Sequence, residues 1–427
     1  MKVIRTIMLC IVVFIHCEQK IYAQGTLEIT VEQAEKQFLE QNLLLLAERC
    51  NIGIADAAIV QAKVLNNPTI GVSDINFWHP NAAEEIELSR NSFGNRIVFS
   101  VELEQIIRTA GKRRKLIDLE KVSKEISVQE FEAFLLSLKT ELRTLLYETI
   151  YLQSYLDVVS IQKDAISSLV EIYKTQTSAG NIAKSELIRL QSSLIELETE
   201  YNELLTELHG VCKELKILLN ISPETGILIL NSTSVAKNPE DISVVQLIEM
   251  AKNSRPEFLL SDLNIKYSEK LLRYEKSLRA PDIALSANYD RYGGVWKNFV
   301  GLGISVEIPA FNRNQGNIKI AKLNIEQNNY YAEYQKNVIL HEIAENFEHY
   351  TLKYNYYKKL MDNDFSADLE EMLGVYSRNL LNRNINMLEY IDFMDAYKTT
   401  KQAILTAKKN MELNFVELQY SVNGSIN

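Results

Sequence analysis

The chain has 427 residues, a formal net charge of −10, and only 15 Gly and 7 Pro. That acidity excludes nucleic acid as a partner, because phosphate binding needs a basic stripe. The scarcity of chain breakers excludes a set of ordinary globules built from short helices.

The N-terminus reads as an export signal. Lys2 and Arg5 precede the apolar run Ile7 to Ile15, which is too short to span a bilayer, and Ile21-Tyr22-Ala23 offers a cleavage point. Residues 1–23 are therefore expected to be removed, with lipidation at Cys17 as the alternative. Cys50 and Cys212 would remain, too distant for a disulfide framework, and both read as small buried apolar residues. No later run of about 18 apolar residues exists, so no transmembrane helix is expected.

A first helix is expected from about Val31 to Leu65. Two strands follow. Thr69 to Trp78 carries Ile70, Val72, Ile75 and Phe77, and then Ile97, Phe99, Val101 and Leu103 alternate with Val98, Ser100, Glu102 and Glu104. Neither Gly nor Pro occurs from Lys112 to Ala179, so one helix is expected from about Lys112 to Thr177, roughly 100 Å long. A turn at Ser178 to Asn181 leads into a return helix from about Ala183 to Leu219. Its Leu187, Leu190, Leu194, Leu197, Tyr201, Leu204 and Leu208 step by three and four, as in a coiled-coil seam. Asn220 and Pro223 end it, and Ile221 to Glu240 reads as a linker.

The second half repeats the first. Glu28 to Gln33 matches Asp241 to Gln246, and Asn66-Asn67-Pro68 falls on Arg279-Ala280-Pro281. Ser100-Val101-Glu102 meets Ser305-Val306-Glu307, while Arg108 and Gly111 meet Arg313 and Gly316. A period of roughly 200 residues is too long for a solenoid unit and indicates a duplicated half-molecule. The second copy should hold a helix from Val244 to Leu278 and two strands. In these, Ile283, Leu285, Ala287 and Tyr289, then Val300, Leu302, Ile304, Val306 and Ile308, form the apolar sets. A helix from about Ile318 to Leu381, a turn at Asn382-Arg383-Asn384, and a return to about Val422 complete it.

The strands have the length of tilted transmembrane strands. Phe77, Trp78, Tyr289, Tyr292, Trp296 and Phe299 gather near their ends, as at a lipid–water boundary. Four strands cannot close a barrel, and an open edge in hydrocarbon is costly, so other copies must complete the sheet. Two copies give eight strands and three give twelve; the pattern does not choose.

His341, Glu345 and His349 step by four on one helix face, a metal-ligand spacing, but the zinc-protease pattern fails. A solvated face is the commoner reading, and no metal is assigned. No phosphate-binding glycine loop or nucleophile elbow occurs, so neither an enzyme nor a cofactor is expected.

Two segments carry a family likeness: Thr109-Ala110-Gly111-Lys112-Arg113-Arg114 after the second strand, and Ile308 to Asn317 after the fourth. With them the mature chain resembles the outer-membrane factor (TolC) family, and within it the heavy-metal, cobalt–zinc–cadmium resistance type. Relatives usually carry Pro where this chain has Ile106. The resemblance implies a mixed α and transmembrane β fold, with repeats at 24–220 and 241–427 and a linker at 221–240. It implies a homotrimer with a twelve-stranded barrel in the outer membrane and a helical tunnel in the periplasm. The implied function is efflux, of heavy-metal cations in that subfamily, with a periplasmic adaptor and an inner-membrane transporter as partners. A drug-efflux or type I secretion duct is the alternative, and a secreted coiled-coil structural protein a more distant one.

At the strand-to-helix junctions, Gly111 and Gly316 are expected to accept unusual backbone angles and Pro309 to end sheet pairing. Lys112, Arg113, Asn312 and Arg313 would sit there at the membrane boundary. By the resemblance, the adaptor-docking tips are Gly180, Asn181 and Ile182 with Ser185 and Glu186, and Arg383, Asn384, Ile385 and Asn386 with Leu388. Arg383 stands where Gly is usual. The acidic gate falls on Glu389 and Asp392.

Overall fold

In the computed structural model, residues 25–76, 98–230, 236–291, 296, 298–362, 365–424 and 426 are described. The expected signal at 1–23, and Phe77, Trp78 and Tyr292, lie outside them. In chain order the first repeat holds β1 (Thr26–Ile29), α1 (Val31–Gln41), α2 (Leu43–Lys63), β2 (Thr69–Asn76), β3 (Val98–Ile107), α3 (Lys112–Ser178) and α4 (Lys184–Leu218). After β4 (Gly226–Ile229) come α5 (Val244–Ser254), α6 (Pro256–Ser277), β5 (Ile283–Arg291), β6 (Asn298–Val306), α7 (Gln315–Met361), α8 (Phe365–Leu381) and α9 (Met387–Val422). The 67-residue α3 runs unbroken, as its lack of Gly and Pro requires.

Three expectations need correction. The helix expected from Val31 to Leu65 breaks at Asn42. Its extended backbone ends α1, its Oδ1 accepts from the Leu45 N–H at 2.9 Å to cap α2, and its Nδ2 donates to the Leu218 carbonyl at 2.8 Å. An Asn that caps one helix and holds the end of another outweighs the surrounding Leu propensity. The second copy breaks at the matching Arg255, because Pro256 disfavours a helical residue before it. Arg255 is buried, and its guanidinium donates to the Ser421 carbonyl at 3.1 Å and to Glu342 at 2.8 Å.

The second long helix is also interrupted, between Met361 and Phe365. Asp362, whose N–H donates to the Lys358 carbonyl at 2.9 Å, caps α7 there, and residues 363 and 364 lie outside the described ones. Third, the linker is part of the fold. Its β4 pairs in parallel with β1, from Thr26 opposite Gly226 to Ile29 opposite Ile229. Ile29 and Ile229 are then buried with Phe38, Leu142, Leu146 and Leu215.

The main sheet has the order β2-β3-β5-β6, antiparallel throughout, so the two repeats join at β3–β5. Register sorts its faces. Ile70, Leu103, Ala287 and Leu302 lie in one row, and Val72, Val101, Tyr289 and Val300 in the next. The opposite face carries Gly71, Glu102, Asn288 and Gly301, then Thr69, Glu104, Ser286 and Gly303. No described element covers the apolar face: Leu302 is 87 % exposed and Ile304 75 %. A sheet half-buried against the chain's own helices would have hidden these side chains, whereas here the apolar face is left uncovered. Among the described residues no helix is long and apolar enough to cross a membrane.

α3 is the spine. Near the sheet it packs between α2 and α6; farther away it packs against α4 and α9. The expected seam holds: Leu190, Leu197 and Leu204 are buried with Tyr155, Val159 and Ile166, and Leu187, Leu194, Tyr201 and Leu208 pack around them. Cys212 is buried as expected, but Cys50 is exposed on the outer side of α2.

Glu35 on α1 joins these layers. Arg143 Nε lies 2.5 Å from its carboxylate and Lys139 3.2 Å, while Arg143 Nη1 reaches Gln419 of α9 at 2.5 Å. Burial raises the Glu35 carboxyl, but Arg143 and Lys139 outweigh it and hold the group below the ordinary carboxylate value. A depressed folded-state value means that the stabilisation is present above the unfolded value near 4.5 and is lost as pH falls through the folded one. Glu35→Gln should cost about 2 kcal/mol at pH 7. In thermal unfolding followed by circular dichroism, the gap between the two proteins should close towards pH 3, whereas a gap independent of pH would contradict the ionic origin.

Candidate functional site

Three places on the long axis combine special backbone with polar chemistry: the two strand-to-helix junctions, the two helix tips, and the first turns of α9.

At the first junction Ala110 and Gly111 are consecutive left-handed residues, with φ of 52° and 67°. They turn the chain from β3 into α3 and bury Lys112, whose Nζ lies 2.7 Å from Asp282 Oδ1. The same carboxylate oxygen accepts from the Thr109 N–H at 2.9 Å, and the Thr109 hydroxyl donates to the Pro281 carbonyl. The start of β5 in the second repeat therefore clasps the first repeat's junction. Arg113, next along α3, is exposed.

The second junction departs from expectation. Gly316 lies within the first turn of α7 and has no positive φ; Asn314 takes the left-handed conformation at 56°. Asn tolerates this region because its short amide bonds locally. Its Nδ2 donates to the Glu275 carbonyl at 2.9 Å, and its N–H donates to Asn312 Oδ1 at 3.1 Å. Arg313 donates from its N–H to Gln315 Oε1 at 2.8 Å and from Nε to the Ala310 carbonyl at 3.2 Å. The structural counterpart of Gly111 is thus Asn314. Nor does Pro309 end the pairing, since β6 already stops at Val306.

The tips are two copies of one motif. Gly180 (φ 77°) donates to the Thr177 carbonyl at 3.0 Å, and Asn181 donates to the Gln176 carbonyl at 2.9 Å. Arg383 (φ 58°) donates to the Leu380 carbonyl at 3.0 Å, and Asn384 to the Asn379 carbonyl at 2.9 Å. Both are Schellman ends, and Arg383 adopts the glycine conformation despite its side chain. That side chain joins the tips: Nη2 lies 3.3 Å from the Asn181 carbonyl. Ile182 and Ile385 pack on the core around Leu380 and Met387. Ser185 and Leu388 are exposed, and Glu186 is half-buried.

Glu389 and Asp392 are both exposed on the first turns of α9. Glu389 is held in a reciprocal cap: its N–H donates to Asn386 Oδ1 at 2.9 Å, and Asn386 Nδ2 donates to its carboxylate at 2.8 Å. Asp392 makes no ion pair among the described residues. Asp395, a further step of three along the helix, is exposed too. The sequence reading missed it although the same spacing marks it. His341, Glu345 and His349 are all exposed on α7. Among the described residues no group of three or more His, Cys, Asp or Glu is placed to hold a metal ion.

Solved structures share this arrangement over nearly the whole chain. The outer-membrane channel OprN is 15% identical with a TM-score of 0.72, over 92% of this chain and 90% of its own. CusC, described with transmembrane channel formation, is 14% identical with a TM-score of 0.71 over 96% of each chain. The CmeC outer membrane channel of Campylobacter jejuni is 13% identical with a TM-score of 0.71, over 92% and 85%. The chain has the fold of outer-membrane channels. No protein-family model and no curated protein matches its sequence. The likeness is one of fold, carried by element order and packing at low identity.

The two glycines should respond oppositely to a side chain. Gly180→Val should cost about 1–2 kcal/mol through its left-handed backbone alone, since a Cβ there meets no atom within 4 Å. Gly316→Ala should stabilise by about 0.5–1 kcal/mol, as for an ordinary helical glycine. Denaturant unfolding of each purified variant measures both, and a loss at Gly316 would restore it as the turning residue.

Proposed function

We propose that the chain is one subunit of an outer-membrane efflux duct. The observation that carries this reading is the uncovered apolar face of a sheet with two open edges, seated at one end of a long helical bundle. A secreted structural coiled coil has no use for such a face.

The duplication supplies the means of closure. Within the chain the repeats meet at β3–β5, α3–α6 and α3–α9. The counterparts of those surfaces are β6 and α7 on one side, and β2, α2 and α4 on the other. The outer side of α7 carries exposed Leu323, Tyr330, Tyr331 and Tyr334, and that of α2 carries Leu43, Leu46 and Ile54. A second copy placed edge to edge pairs β6 with β2 and covers both stripes, and a ring leaves no edge. Three copies, twelve strands and an outer-membrane location follow from the resemblance to the TolC family, and export with cleavage after residue 23 from the N-terminal pattern of Lys2, Arg5 and Ile7 to Ala23.

In this reading the tips around Gly180 and Arg383, farthest from the sheet, dock on a periplasmic adaptor that couples the duct to an inner-membrane transporter. Glu389 and Asp392 form the acidic constriction. Heavy-metal cations are the cargo that the junction segments suggest, with a drug-efflux or type I secretion duct as the second reading. The chain binds and conducts without chemistry of its own.

Threefold symmetry would gather these carboxylates around one axis, where they attract cations. The purified protein should therefore form cation-selective pores in planar bilayers. Glu389→Ala with Asp392→Ala should reduce that selectivity and relieve block by divalent ions. Parent-like selectivity and block in the double variant would remove the pair as the gate.

A further inference from the structure

The helix ends that abut the sheet carry exposed cations without protein counter-charges. Arg113 and Arg114 open α3, Lys276 and Arg279 lie at the end of α6 and just beyond it, and Lys319 and Lys322 lie in the first turns of α7. None of these six makes an ion pair among the described residues. Farther along the helices, buried and half-buried cations are matched across helices: Arg143 with Glu35, Arg255 with Glu342, Lys398 with Glu200 and Lys409 with Glu148. The four strands, by contrast, carry a single cation among the described residues, Arg291, at the end of β5 away from the helices. A chain with a net charge of −10 thus sets six exposed cations, none of them in an ion pair among the described residues, around the helix ends that meet the sheet.

That zone lies where the apolar sheet face stops. Ile308 and Phe311, 78 % and 96 % exposed, stand between β6 and the cations of α7. Beside them a cleft of about 550 Å³, bordered by Lys112, Glu307, Asn312 and Asn314, opens between the start of α3 and the β6–α7 loop. An apolar band followed by long basic side chains is the pattern that meets acyl chains and then phosphate headgroups, since Lys and Arg lay their stems on apolar surface and hold the charge in the polar layer.

We propose that this zone is a collar for anionic phospholipid headgroups, in the leaflet on the helical side of the membrane. The proposal rests on the membrane-inserted reading of the sheet. Its occupant is a lipid because the missing counter-charges lie beside the uncovered apolar face, where a soluble anion would leave Ile308 and Phe311 in water. The collar fixes the depth of the sheet and gives the duct a preference for negatively charged lipid around its helical side.

The test uses the full-length protein in nanodiscs of phosphatidylethanolamine with or without phosphatidylglycerol, with retained lipid counted by native mass spectrometry and pore conductance recorded in matching planar bilayers. Phosphatidylglycerol should be retained about tenfold over phosphatidylethanolamine, and raised salt should weaken the preference. The triple variant Arg114→Gln, Arg279→Gln, Lys319→Gln should lose most of it while conductance persists. A charge-keeping set, Arg114→Lys with Arg279→Lys, should retain it, which separates lost charge from lost folding. Equal retention of both lipids by the parent protein, or an unchanged preference in the triple variant, would overturn the collar while conductance still upheld the duct. Altered ion selectivity with unchanged lipid retention would overturn it as well, by placing these cations in the lumen. Failure to insert into any bilayer would overturn the duct and the collar together.

Discussion

A β-strand edge in hydrocarbon leaves each backbone N–H and C=O without a partner, at several kcal/mol per group. β2 and β6 are the open edges of the main sheet, and in the proposed duct both would lie in hydrocarbon unless a neighbouring copy pairs with them. Most other features serve this condition. The duplicated half-molecule supplies edges that mirror the junction already made inside the chain at β3–β5. The same duplication gives the helical part an uncovered flank on each side, so sheet and bundle can close together around one axis.

A second group of interactions keeps the repeats in register. At the sheet, Asp282 of the second repeat holds Thr109 and Lys112 of the first. Midway along the bundle, Arg143 of α3 reaches Gln419 of α9, and Lys409 reaches Glu148. At the far end Arg383 meets the Asn181 carbonyl. The hairpins themselves pack through Leu, Ile, Met and Tyr. One apolar core thus runs through both hairpins, and directional polar contacts between them add register at the sheet, midway and at the far end.

Much of this was legible in the sequence because periodicity survives at any length scale. Alternation in Val300 to Ile308 marked a two-faced strand, and the stretch from Lys112 to Ala179 without a breaker marked a helix. What escaped was decided by single side chains acting at a distance. Asn42 breaks a helix by reaching the end of α4, and nothing local announces it. β1 and β4 are short strands nearly 200 residues apart, and no local pattern in either names its partner. Asn314 rather than Gly316 takes the left-handed turn because Glu275 is there to receive its amide. Cys50, read as buried by its residue type, sits on the outer face of α2. In the candidate gate the spacing of Glu389 and Asp392 was visible, whereas the hold of Asn386 on Glu389 depends on cap geometry.

In the proposed duct the apolar face of the main sheet meets lipid while the opposite face meets water. Spin labels placed singly along β6 from Val300 to Val306, in the protein reconstituted in liposomes, test it directly. Accessibility to oxygen and to a water-soluble relaxant should alternate with period two, with labels at 300, 302, 304 and 306 exposed to oxygen and those at 301, 303 and 305 to the aqueous agent. Uniform aqueous access along the strand, or protection of both faces from both agents, would contradict it.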